Sequence, residues 1–113
     1  MLTIYHNPRC SKSRETLQII EDAGVEVEIV EYLKEVPNAQ ELKEVLIKLG
    51  LRPQQILRRG EPIFKEKFKG ADLSDDQWIE AMIENPKLIE RPIVVKGNEA
   101  VLGRPPESVK TLF

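Results

Sequence analysis

The opening third of the chain carries the pattern that most restricts its fold. Leu2, Ile4 and their neighbours form a short apolar run that stops at His6-Asn7-Pro8, the signature of a strand entering a turn. From Ser11 onward Leu17, Ile20 and Ala23 recur at helical spacing and Gly24 closes the pattern, which predicts a helix over about residues 11–23. The stretch VEVEIVEY then alternates, with Val25, Val27 and Ile29 on one face and acidic residues between them, so a second strand follows. A strand, a helix and a strand in this order make a βαβ unit. Its two strands should run parallel, joined by a right-handed crossover.

The middle of the chain changes period. Asn38 heads a run in which Leu42, Val45, Leu46 and Leu49 share one helical face, and Gly50 ends it. Pro53-Gln54-Gln55-Ile56-Leu57 predicts a further helical turn with proline at its start. SDDQWIEAMIENP opens with Ser74 and Gln77 at capping-box spacing, continues with Trp78/Met82 and Ile79/Ile83 pairs, and stops before Pro86. A helical insert over about residues 38–89 is expected. After Arg91-Pro92, IVVK and EAVLG flank the turn pair Gly97-Asn98 and predict an antiparallel hairpin. RPPESVKTLF follows as a closing helix that packs through Val109, Leu112 and Phe113. The order βαβ, helical insert, ββα describes one α/β domain over residues 1–113 with a mixed four-stranded sheet.

The inventory of reactive side chains is short. One cysteine rules out an internal disulfide and a CxxC redox pair, and with a single histidine no metal site is expected. No apolar run approaches the roughly 20 residues needed to span a bilayer, and MLTIYHNPRC lacks the order of a signal peptide, so a cytoplasmic protein with a reduced thiol and no membrane association is expected. The formal charge of -2, spread over interspersed acids and bases, argues against nucleic acid as a partner.

Cys10 is therefore the residue that needs a reason. A free cysteine is most often a small buried hydrophobe, but His6, Asn7, Pro8, Arg9, Ser11, Lys12, Ser13 and Arg14 around it are turn formers and polar groups. That places Cys10 in a strand-to-helix loop or a first helical turn, at the carboxyl end of a parallel strand, where ligands bind in α/β sheets. A helix N-terminus offers unpaired N–H groups and partial positive charge, which favour the thiolate. A thiol of pKa ~8.5 is about 3% ionised at pH 7, so a drop of about two units raises the thiolate roughly 25-fold. Falling nucleophilicity, with a Brønsted slope of about 0.4–0.5, takes back about 6- to 10-fold. Cations that hold an anionic target against the sulfur achieve more, since one charge pair at about 4 Å contributes up to ~4 kcal/mol at an effective dielectric of ~20. A thiol that acts on an oxyanion needs arginines.

YHNPRCSKSRETL, ILRR, RPIVV and LGRP occur in that order and resemble the glutaredoxin-linked arsenate reductase family of the thioredoxin-fold superfamily, over nearly the whole chain and including the insert. The resemblance implies a thioredoxin-like fold and reduction of arsenate to arsenite, with glutathione as reductant, glutaredoxin as partner protein and no tightly bound cofactor. It makes Cys10 the nucleophile, His6 the histidine that helps to lower the thiol pKa, and Ser13 the serine of the same loop. Arg58, Arg91 and Arg104 match the arginine triad that binds arsenate and its covalent intermediates, with Arg59 as a substitute for Arg58 where the register of LRRG is loosest. Pro92 matches the cis-proline that faces the active cysteine and brings Arg91 beside it.

Each of these residues also has a plainer role open to it. Any one arginine can be a solvated surface residue, and His6 can be a turn residue that packs or caps. Arg9, Lys12 and Arg14 are expected in solvent, adding positive potential at the mouth of a site. Two other functions share the fold: a glutathione-linked thiol oxidoreductase of another substrate, and a redox-sensing regulator that binds RNA polymerase. The regulator branch carries CxxC, whereas here Ser13 stands three residues after Cys10.

Overall fold

The computed structural model describes residues 1–113, which form two compact units, one of residues 1–35 and 91–113 and one of residues 36–90. The first unit contains β1 (Leu2–Tyr5), α1 (Ser11–Asp22), β2 (Val27–Val30), β3 (Ile93–Lys96) and β4 (Glu99–Leu102), and ends in a 3-10 helix, Pro106–Leu112. The sheet order is β2-β1-β3-β4. β1 pairs parallel with β2, Ile4 opposite Ile29, and antiparallel with β3, Ile4 opposite Val94. β3 and β4 form the expected antiparallel hairpin. Leu2 and Ile4 project from one side of β1 into a core completed by Ile20 of α1, Val94 of β3, and Val109 and Leu112 of the final 3-10 helix. Period-2 burial on β1 and the helical face of α1 thus meet in one cluster.

β2 is shorter than the alternation of VEVEIVEY suggests, and the reason lies in the helix before it. Gly24 adopts φ 69, its N–H donates to the Glu21 carbonyl, and the Val25 N–H donates to the Ile20 carbonyl. This is a Schellman cap, which uses Val25 to terminate α1 and leaves it out of the ladder. Ile29, which alternation puts on one face with Val25 and Val27, is 45% exposed on this edge strand with one neighbour.

The second unit is helical. Asn38 caps α2 (Ala39–Leu49) by accepting from the Glu41 N–H while the Glu41 carboxylate accepts from the Asn38 N–H, and Gly50 closes the helix in the left-handed region. A 3-10 turn spans Pro53–Ile56, and α4 (Asp75–Glu84) begins at the Ser74/Gln77 capping box. Between them lies α3 (Pro62–Lys67), which periodicity did not reveal, since six residues barely make two turns. A second 3-10 turn, Pro86–Leu88, follows α4. Trp78 packs against Phe64 and Phe68, at ring-centroid separations of 6.3 and 5.8 Å, and Ile79 and Met82 are buried beside it in sequence, while Ile83 is only half-buried. No helix is long and apolar enough to cross a membrane.

Back in the first unit, three backbone features converge. Arg91-Pro92 is cis, as the resemblance implied, and so is Arg104-Pro105, which it did not. The Gly103 N–H donates to the Pro92 carbonyl at 2.9 Å. A Cβ on Gly103 would stand 2.5 Å from Thr16 Oγ1 and 2.7 Å from Pro92 Cγ, and Thr16 is fully buried in α1 with its hydroxyl bonded to the Lys12 carbonyl. Only glycine lets these three segments touch. Gly103→Ala is expected to lose about 1–3 kcal/mol of stability by overpacking, whereas Gly60→Ala, with nothing within 4 Å of the new methyl, should stay within about 0.5 kcal/mol. Urea unfolding of both variants checks this; a Gly103→Ala protein as stable as wild type would mean that the contact is slack.

Candidate active site

The turn after β1 is built residue by residue toward Cys10. The Asn7 side chain accepts from the Arg9 N–H, and the Asn7 carbonyl accepts from the Cys10 N–H, both at 3.0 Å. This Asx-type turn reverses the chain without a residue in the left-handed region. Arg14 reaches back from α1 to donate to the Pro8 carbonyl at 2.9 Å. Cys10 has extended backbone angles (φ -93, ψ 123), and its carbonyl accepts the first helical bond, from the Arg14 N–H. It is the N-cap of α1, the loop-to-helix position expected for it. The first turn of that helix holds no acidic residue to oppose a negative sulfur.

Ser13 joins the turn to the helix. Its hydroxyl accepts from the Asn7 N–H at 3.0 Å and lies 2.6 Å from His6 Nδ1. The hydroxyl carries one proton and two lone pairs, so it serves both contacts, and which partner donates in the His6–Ser13 bond follows the imidazole tautomer. Burial lowers the His6 pKa below its ordinary value; Glu31 pulls it up, Arg14 down and Glu21 up, and burial prevails. His6 is linked to Cys10 through Ser13, whose hydroxyl meets the imidazole and whose backbone N–H faces the sulfur.

Cys10 as a residue is 8% exposed. Burial pushes the Cys10 pKa up, but the Ser13 N–H, Arg91, the Lys12 N–H and Arg104 together outweigh it, and the thiol lies below its ordinary value. Arg104 is held at both ends: Nε donates to the Arg91 carbonyl at 2.9 Å, and Nη2 donates to Cys10 Sγ at 3.8 Å. The cis Arg91-Pro92 bond and the Gly103 contact thus stand beside the arginine that touches the sulfur.

Of the residues singled out in the sequence, Cys10, His6, Ser13, Arg91, Pro92 and Arg104 all belong to the first unit. Arg58 belongs to the helical unit. There it pairs with Glu61 at 3.2 Å and donates to the Lys87 carbonyl, while Arg59 lies over the Phe64 ring, 5.5 Å from its centroid. Asn7, Thr16 and Gly103 were not singled out as site residues in the sequence, while Arg14 is exposed, as expected, and also donates to the Pro8 carbonyl. Asn7 carried a readable signal, an Asn in the turn four residues before the polar start of α1 at Ser11. Gly103 and Thr16 lie far apart in the chain and carried none. No group of three or more His, Cys, Asp or Glu side chains is placed to hold a metal ion.

Two titrations test these environments. In the native protein His6 binds its proton less tightly than in the unfolded chain, so below pH about 6.5 the unfolded state takes up more protons and stability falls as pH falls. His6→Gln is expected to flatten that slope between about pH 6.5 and 5 in urea unfolding series; an unchanged slope would place the acid sensitivity elsewhere. Alkylation of Cys10 against pH should give a midpoint below about 8.5, moved upward in Arg104→Ala. A wild-type midpoint at or above about 8.5 would contradict the electrostatic reading of the site.

With this geometry established, comparison with known proteins places the chain. The model of the ArsC family matches residues 5–112. The uncharacterized protein YfgD of Escherichia coli strain K12 is 48% identical over 108 residues, covering 94% of this chain and 91% of that protein. The arsenate reductase of Haemophilus influenzae is 43% identical over 108 residues, covering 94% and 93%. The solved structure of an arsenate reductase from Vibrio cholerae superposes with a TM-score of 0.95 at 46% identity, covering 99% of this chain and 97% of that one. The α/β fold with its mixed four-stranded sheet is the thioredoxin-like fold of these relatives, and the protein belongs to the ArsC family.

Proposed function

We propose that the protein reduces arsenate to arsenite, with Cys10 as the nucleophile and with glutathione and glutaredoxin supplying the electrons. The observation that carries this reading is the Arg104 guanidinium 3.8 Å from a sulfur whose pKa is lowered at a helix N-terminus. The names of the relatives support the substrate. An arginine at that distance neutralises the thiolate until an oxyanion arrives, then serves the anion as a bidentate donor.

The steps balance as follows. The Cys10 thiolate attacks arsenic and expels one oxygen as hydroxide, giving a sulfur–arsenic(V) bond with no change in oxidation state. Glutathione then attacks the same arsenic, giving up its thiol proton as a second oxygen leaves as water. A glutaredoxin thiolate attacks the glutathione sulfur. The electron pair of the broken sulfur–arsenic bond stays on arsenic, which becomes arsenic(III), and a mixed disulfide between glutaredoxin and glutathione carries away the two oxidising equivalents. Water releases arsenite and returns Cys10 as a thiol. Arg91 and Arg104 hold the negative oxygens through these steps. Arg58 enters by the family resemblance alone, and within the helical unit it is paired with Glu61. Such a cycle needs a thiol kept reduced, so the cytoplasm is its setting.

Arsenite formation from arsenate with glutathione and glutaredoxin is the direct assay. Cys10→Ser should abolish turnover while changing stability by less than about 1 kcal/mol, and Arg104→Ala should lower kcat about 100-fold or more. A wild-type protein with a reactive thiol and no arsenite formation would show that the site acts on another substrate.

A further inference from the structure

The turn that leads into Cys10 forms one wall of a pocket of about 350 Å³, and the segment after β2 forms the other. Its size falls at the lower end of the roughly 300–1,000 Å³ range of small-molecule sites. Its lining joins opposite charges: Arg9 on the turn, Glu31 and Lys34 across from it, with Leu33 and His6 between. Arg9 forms no ion pair with any carboxylate of the chain, and Lys34 approaches Glu31 only to 3.8 Å, with its side chain 80% exposed. Nδ1 of His6 is committed to Ser13, which leaves Nε2 as the ring nitrogen open to a ligand. Two cations and one carboxylate suit a molecule with more than one carboxylate and one ammonium group. A simple anion would meet Glu31 as a repulsive neighbour.

Electron balance points to the same kind of molecule. Cys10 is the only cysteine, so no second thiol of the chain can complete a two-electron reduction begun at its sulfur. The second thiol must come from outside and must be held next to Cys10. Cys10 does not itself line the pocket, but Arg9 immediately precedes it in the chain, so a ligand seated on the turn is one residue away from the reacting one.

We infer that this pocket binds the charged ends of the external thiol peptide, a glutathione-class molecule. Its carboxylates lie on Arg9 and Lys34, its ammonium on Glu31, and its sulfur is directed along the turn to arsenic on Cys10. The inference rests on the reading of the site as glutathione-linked. The bound thiol adds to arsenic and releases water, the second step of the cycle above.

The test separates binding from turnover. S-methylglutathione cannot react, so its titration into ¹⁵N-labelled Cys10→Ser protein reports the site alone. Amide shifts confined to residues 6–9 and 31–34 are expected, and Arg9→Glu and Lys34→Glu should each weaken the binding about three- to tenfold. In the turnover assay the same two variants should raise the KM for glutathione by similar factors. Lys96→Glu, at the far end of β3 from this turn, should leave it unchanged. Localised shifts without arsenite formation in the wild type would uphold the pocket and remove the arsenate reading. Absent or scattered shifts, or an unchanged KM in both Arg9→Glu and Lys34→Glu, would overturn the pocket whatever the turnover.

Discussion

The site depends on one close approach. Gly103, Pro92 and Thr16 meet with no room for a methyl group, and this contact ties the start of β3 and the end of β4 to the first turns of α1. Arg91 and Arg104 are the residues next to that junction, and Cys10 caps the helix that forms its other side. The Arg104 guanidinium, strung from the Arg91 carbonyl to the Cys10 sulfur, reads as a consequence of the junction. A larger residue at position 103 would displace the arginine and the helix start together, so packing and chemistry are coupled at one atom.

Burial alone would make Cys10 an ordinary thiol, because removing a thiolate from water raises its pKa. The protein offsets this with two kinds of positive potential. The backbone N–H groups of Ser13 and Lys12 are fixed by the helix itself and require no side chain to be ordered. Arg91 and Arg104 add full charges, and a pair at the separation of Arg104 and the sulfur is worth between about 1 kcal/mol in water and about 4 kcal/mol at an effective dielectric of 20. Only the arginines can turn toward a substrate oxygen while the N–H groups stay with the sulfur. The division of labour between them suits a nucleophile that must remain ionised while its anionic target binds.

Much of this was legible in the sequence, and what was not has a physical cause. Local rules located α1, α2 and α4, because caps and 3.6-residue periods depend on near neighbours: Asn38 with Glu41, Ser74 with Gln77, Gly24 and Gly50 at the ends. The strand-helix-strand opening and the hairpin at Gly97-Asn98 fixed the strand directions. Alternation could not say that β2 lies at an edge, where Ile29 is 45% exposed, or that Val25 serves the Schellman cap. The link from His6 through Ser13 was unreadable for another reason: the spacing of seven residues brings them together only because Asn7 turns the chain back. Gly103 has no local signature at all, since its neighbours lie eleven and more positions away.

The central claim is that Cys10 and its arginines together form an oxyanion site. Protection of the thiol tests it without requiring turnover: the rate of Cys10 alkylation by iodoacetamide is measured at fixed pH while arsenate is titrated in the absence of glutathione. The account predicts that arsenate slows alkylation in a saturable way and that Arg104→Ala weakens this protection about tenfold or more. An alkylation rate indifferent to arsenate at every concentration, on a folded protein with a low-pKa thiol, would contradict it.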